Sequence, residues 1–357
     1  MSQALIISAA KTVDDSGCLQ QSLQLEARIK TLGYSPVQLT IDPLKTPWHS
    51  PEAENHFRSG CAPIEALHRA KELINNGTDV VVISGKDDLK SGYERDERLN
   101  LMAVYGEDYP LTHAYNDLAE LFIHRHGADA ALFHQLAHHL FENYKCSYRN
   151  AISDTLAAEQ LPDERWYNHI TPLFRGVDIA NPLIDFAGRV ILCSKKLADE
   201  LSIPQQEQID VCGVGLGFLP GDGKQHVEDI VSYQHLETAY QTACDTAGID
   251  FANEFRNGNA LLETYTCYPV VPIAFLLASG LVDLLQDIPD FLEQHRITIT
   301  GGMNLAKGPW NNPALNSLIE MYHQLTSSDQ TIGAVHGNGG LGYRQGVAIL
   351  KQTTDQV

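Results

Sequence analysis

The stretch 61-CAPIEALHRAKELINNGTDVVVISG-85 holds two elements with a stop between them. Apolar residues at 64, 67, 70, 73 and 74 recur at the spacing of one helix face, and Asn76-Gly77 ends that helix. The run DVVVIS over 79–84 then reads as a buried strand. Asn76-Gly77-Thr78 fits a glycosylation sequon, but without a secretory signal it reads as a turn. Proline favours the first helical position, so Cys61 lies at or just before the N-cap. There the helix dipole and free backbone N–H groups stabilise a thiolate. The alternative is a small buried apolar residue, which most free cysteines are.

The same alternation extends outward. A strand at 4-ALIIS-8 precedes a helix over 19–32 that Gly33 ends, and residues 42–60, with three prolines, read as loop. Residues 86–180 break the pattern with a charged segment and helical stretches rich in histidine and aromatics. Strand 186–194 and helix 195–203 resume it. After a loop over 213–233 come helix 234–248, strand 260–266, helix 269–279, strand 296–300, helix 312–325 and closing strands near 331–336 and 344–351. Strands alternating with helices imply an α/β sheet covered on both faces, and the pattern occurs twice.

Composition narrows the function. A chain of 357 residues with 43% hydrophobic content builds a large core in two or three structural units. A net charge of −20 argues against general nucleic-acid binding, which needs a basic face. No run of about 18 apolar residues predicts a membrane span. The start MSQALIISAAKTVDDSG lacks the features of a signal peptide, and seven cysteines without CxxC spacing suit a reducing compartment. A cytoplasmic protein is expected.

Other residues compete for a site. Cys267, in 263-ETYTCYP-269, lies where a strand gives way to a helix, the rim where open α/β sheets place their sites. His336 ends an apolar strand and enters 337-GNGG-340, whose Asn338, Gly339 and Gly340 offer backbone donors for an oxyanion. The loop 301-GGMNLAKGPWNN-312 has the build of a catalytic turn, yet Lys307 is its only chargeable residue. His124, His126, His134, His138 and His139 lack the partners of a metal site, so no metal is expected. The segment 213-GVGLG-217 is a weak match to a dinucleotide-binding turn because no helix follows it.

Taken together, these pieces resemble the thiolase superfamily, in its thiolase-like branch of acetyl-CoA acetyltransferase type. ALIISAAKT looks like the family's first strand, and 61–85 is similar to the segment with the nucleophilic cysteine, its helix and the next strand. 182-PLIDFAGRVILCSKKLADELSIP-204 looks like the return from the family's loop domain. ETYTCYP resembles its Tyr-Ser-Cys-Phe-Pro loop, TITGGMNLAKGP its Gly-Gly…Gly-His-Pro loop, and VHGNGGLG its closing Cys-x-Gly-Gly-Gly loop. The match covers nearly the whole chain in one order.

The resemblance implies a five-layer αβαβα fold of two similar halves, residues 1–93 with 181–208 and residues 209–357, with a loop domain over 94–180. It implies an acyl-CoA acyltransferase without a tightly bound cofactor, in which coenzyme A thioester is substrate and Cys61 carries the acyl group. Cys267 is the other candidate thiol. His336 is the nearest base, and Tyr265, Gly308, Asn338, Gly339 and Gly340 belong to the substrate or oxyanion loops. A homodimer is implied as well. Where the family places its activating histidine, this chain reads Lys307-Gly308-Pro309, and His336 stands for the family's second cysteine. The alternative is therefore a non-catalytic protein that binds coenzyme A or acyl-CoA and acts as a complex partner.

Overall fold

A computed structural model describes residues 3–152 and 160–353. In chain order the first part comprises β1 (Ala4–Val13), β2 (Ser16–Gly17), α1 (Gln20–Thr31), β3 (Val37–Ile41), β4 (His56–Phe57), α2 (Ala62–Asn75) and β5 (Val80–Asp88). Helices α3 (Arg95–Met102), α4 (Leu111–Arg125) and α5 (Ala130–Ile152) follow, then β6 (Asp185–Ser194) and α6 (Lys195–Glu200). The second part comprises β7 (Ile209–Phe218), α7 (Val227–Ile230), α8 (Gln234–Ala247), α9 (Phe251–Arg256), β8 (Ala260–Glu263), α10 (Val270–Ala278) and α11 (Ile288–Gln294). Helices α12 (Gly302–Leu305) and α13 (Pro313–Ser327) and strands β9 (Ile332–Gly339) and β10 (Arg344–Gln352) complete it.

The strands form one mixed sheet in the order β4-β3-β5-β6-β1-β7-β10-β9-β8, with β2 paired to β1. The order β3-β5-β6-β1 is repeated by β8-β9-β10-β7 around a centre between β1 and β7. In each half the outer pair is parallel and the others antiparallel. Among the described residues, the strands of the two halves pair at Leu5 with Asp210 and Ile6 with Ile209. These are two similar α/β halves.

Burial explains the layers. In β5, Val81 and Ile83 face one apolar cluster, while Val80 and Val82 face another. A strand covered on both faces needs no polar alternation, hence the run VVVI. The shared cluster holds α2 and α13 between the two halves, joined by Val335, Ala348 and Leu350 of the second half. Helices α1 and α6 cover the outer face of the first half, and α8 and α10 that of the second. The order helix, sheet, helix, sheet, helix gives five layers. Helices α4 and α5 pack into the core of the second half.

Two expectations fail. The loop over 213–233 begins as strand β7, and 213-GVGLG-217 lies within it. A Cβ on Gly213, Gly215 or Gly217 would overlap the carbonyls of Ala243, Ala239 and His235 on α8. Glycine at every second position lets the helix backbone rest on the strand. Residues 296–300 form no strand, because the Glu263 carboxylate accepts from Ile299 N at 2.6 Å and Thr300 N at 3.1 Å. A side chain there takes the place of a sheet partner. No helix among the described residues is long and apolar enough to cross a membrane.

Candidate active site

The N-terminus of α2 meets the ends of β8 and β9 at a cavity of about 510 Å³. Its wall includes Gly60, Tyr115, Tyr265, Cys267, Asn338 and Gly340. Gly308 lines it too, from the 301–312 loop. Among its described lining residues Glu107 is the only carboxylate, and no histidine, lysine or arginine is present. This loop therefore contributes shape rather than a base. Its Trp310 stacks on Trp48 with centroids 5.2 Å apart, and Lys307 turns toward Asp14 at 4.0 Å. Asn311 fixes the turn before α2 by accepting from Ser59 N at 3.0 Å and from Trp48 Nε1 at 2.9 Å.

Cys61 occupies the N-cap of α2, as its sequence context requires, but it is not on the cavity. Its side chain is fully buried in the middle helix layer, where a Cβ on Gly346 would lie 2.9 Å from Sγ. Burial pushes the thiol well above its ordinary range, and the nearby Glu65 carboxylate adds to the effect. Arg344 works in the opposite direction but is paired with Glu65 at 2.7 Å. The residue facing the cavity is Gly60. A Cβ there would overlap the Tyr265 hydroxyl and the Asn338 carbonyl, so the phenol fills the space of a side chain at 60.

His336 does not join Cys61. It lies within β9, not at its end. A Cβ on Gly337 would point at Ile64 of α2 and lie 3.3 Å from the Cys61 Cα. Successive side chains of a strand take opposite faces, so His336 points away from α2. It stacks on Phe275 of α10 at 4.7 Å. The pleat thus rules out the Cys61–His336 pair. Burial also lowers the His336 pKa to about 4, leaving a neutral imidazole at pH 7.

The imidazole instead anchors a chain of hydrogen bonds with a fixed direction. Tyr265 N donates to His336 Nδ1 at 3.4 Å, so the ring proton sits on Nε2 and donates to Gln345 Oε1 at 2.8 Å. Gln345 Nε2 donates to Asn338 Oδ1 at 2.7 Å, and Asn338 Nδ2 donates to the Tyr115 hydroxyl oxygen at 3.0 Å. Tyr115 donates to the Gly340 carbonyl at 2.7 Å and accepts from Cys267 Sγ at 3.4 Å. Burial pushes the Cys267 thiol up to about 12, against the lowering effect of Tyr115.

The expected oxyanion loop is only partly realised. Asn338, Gly340, Gly308 and Tyr265 reach the cavity, whereas Gly339 pairs with Arg344 in the sheet and faces Ser59. Sequence reasoning missed Tyr115, Gln345, Asn311 and the role of Gly60. Tyr115 lies in the segment between the repeated strand–helix patterns, and no local motif marks it. Among the described residues no group of three or more metal-ligating side chains occurs. His134 Nε2 is bonded to the Pro172 carbonyl at 3.0 Å.

The repeated halves and the middle helix pair give the chain a thiolase-like fold. No family model and no curated protein matches the sequence. Among solved structures, a monomeric SCP2-thiolase-like protein type 1 from Mycobacterium smegmatis is 15% identical, with TM-score 0.68 over 99% of this chain and 78% of that one. The Ltp2–ChsH2(DUF35) aldolase is 16% identical, with TM-score 0.66 over 98% of each chain. The Acat5 thiolase from Ascaris suum, in complex with coenzyme A, is 14% identical, with TM-score 0.63 over 98% of this chain and 100% of that one. At such identities the likeness is one of fold.

Proposed function

We propose that the protein is an acyl-CoA acyltransferase that carries the acyl group on Cys267 instead of Cys61. The observation that carries this reading is placement: Cys267 is the one thiol among the residues described at the cavity. Tyr265 and Asn338 line the same cavity and offer hydrogen-bond groups for the thioester oxygen. Coenzyme A in complex with a protein of the same fold supports the ligand class. An adjoining groove of about 580 Å³ shares Leu99, Met102, Ile179 and Pro182 with the cavity and includes Arg95 and Arg98, which suits an elongated ligand with anionic groups.

A second reading is a non-catalytic binder of coenzyme A thioesters, acting as a complex partner. It is favoured by the neutral His336 and by a thiol held far above neutral pH. Mass spectrometry of the protein after incubation with acetyl-CoA and longer acyl-CoAs decides. An acyl adduct on Cys267 supports the transferase, and an adduct on Cys61 overturns its assignment to Cys267. Calorimetric binding without any adduct supports the second reading. A homodimer paired through the edge of the first half belongs to the same proposal. Light scattering at micromolar concentration tests it.

A further inference from the structure

Among the described residues the Tyr115 hydroxyl has three hydrogen-bond partners, and it has one proton. Asn338 Nδ2 can only donate to it and Gly340 O can only accept from it, so its proton lies on the Gly340 side. The remaining lone pair faces Cys267, which must then donate. Asn338 cannot reverse this arrangement, because its amide is oriented through Gln345 and His336 by the backbone N–H of Tyr265. The ring is held as firmly, buried and stacked on Tyr268 with centroids 4.0 Å apart and planes 17° from parallel. Only the hydroxyl proton is free to turn.

We propose that Tyr115 is a positioning residue for Cys267: its hydroxyl accepts from the thiol at rest and turns its own proton from the Gly340 carbonyl onto the sulfur when the thiol ionises. The role rests on the reading of Cys267 as the reacting thiol. In that reaction the S–H bond of Cys267 breaks and its sulfur bonds the thioester carbon. The bond from that carbon to the coenzyme sulfur breaks, and the thiol proton goes to that sulfur. Tyr115 ends with the proton it began with. The arrangement joins a residue of α4 to a loop about 150 residues later, so the segment between β5 and β6 shapes the chemistry as well as the cavity wall.

Among the described residues, the phenols facing the pair are Tyr105, Tyr144, Tyr233, Tyr265 and Tyr268, each raised above its ordinary range chiefly by burial. The Asp222 carboxylate, also raised by burial, lies against Gly340 and accepts from Tyr105 at 2.8 Å, Glu107 stands on the cavity wall, and His336 ends the hydrogen-bond chain. These neighbours are the same in the wild type and in Tyr115→Phe, so the difference between their pH profiles reads the thiol. The test is the rate of carbamidomethylation of Cys267 against pH, resolved by peptide mapping, in the wild type and in Tyr115→Phe. Loss of one hydrogen bond to a charged acceptor should slow labelling at pH 9 by about 10-fold or more and move the profile to higher pH. An unchanged profile, or a changed plateau without a shift, overturns the proposal. If Tyr115→Phe fails to fold, the infrared S–H stretch of the wild type, assigned by its loss in Cys267→Ala, replaces it. A band at the position of a free thiol then overturns the proposal, and a hydrogen-bonded band supports it. Both measurements work without coenzyme A, so failure of acyl transfer leaves them standing.

Discussion

Cys61-Ala-Pro63 and Cys267-Tyr-Pro269 share a local plan, a cysteine two residues before a proline at the start of a helix. Their side chains meet different surroundings. Cys61 turns inward beneath α2, between that helix and the sheet, while Cys267 stands on the cavity wall beside Tyr115. A helix start supplies dipole and N–H groups to either one. It does not choose which of them meets a ligand. That choice is made by what lies across the turn: Gly346 and Ile64 leave a pocket behind Cys61, and Tyr265 closes the front over Gly60.

The largest effect expected of this difference is all or none. Cys267→Ser should abolish any acyl adduct formed from acyl-CoA, and Cys61→Ala should leave it in place, both read by intact mass. The reverse result would erase the distinction between the two turns. Labelling kinetics come next. Under limiting iodoacetamide at neutral pH the exposed Cys18 should react first, and Cys61 should react only through unfolding. For an ordinary domain stability that slows Cys61 by more than about 10³-fold relative to an exposed thiol. Labelling of Cys61 ahead of Cys267 would show that the inner turn opens on its own.

A third test uses pH on the cavity side of the sheet. His336 takes a proton near 6.5 in an unfolded chain but only near 4 when folded. Its contribution to stability is present above pH 6.5 and is lost as pH falls through 4, about 3 kcal/mol in all. Glu263, raised to about 7 by burial, acts in the opposite sense, losing its contribution as pH rises from 4.5 through 7. His336→Gln should therefore flatten the acid limb of denaturant-derived stability and leave the alkaline limb alone. An unchanged acid limb would mean that the imidazole is not the neutral anchor of the network. The smallest effect is at Gly60. Gly60→Ala sets a methyl against the Tyr265 hydroxyl and the Asn338 carbonyl and should cost about 1–3 kcal/mol, read as a lower Tm. A Tm equal to wild type would show that the phenol does not close the front of the turn.

Much of the fold was legible in advance because it rests on periodicity. The helix at 62–75, its stop at Asn76-Gly77 and the strand after it follow from side-chain spacing and a turn signal, and so does the repetition of strand and helix along the chain. The strand over 213–217 was not legible, since glycine has no side chain to display a period and its reason lies in the backbone of α8. The segment at 296–300 had the apolar pattern of a strand, but a buried carboxylate took its N–H groups.

The sequence by itself determined the α/β class, the two halves and the presence of a thiol at two helix starts, because spacing and caps act within a few residues. Only the tertiary structure decided that Gly60 rather than Cys61 faces the cavity, that His336 lies on the opposite face of β9 from Cys61, and that Tyr115 reaches Cys267. Each of these depends on which side of a sheet or turn a residue faces once distant segments pack. Local propensity carries no information about that side, and close packing fixes it.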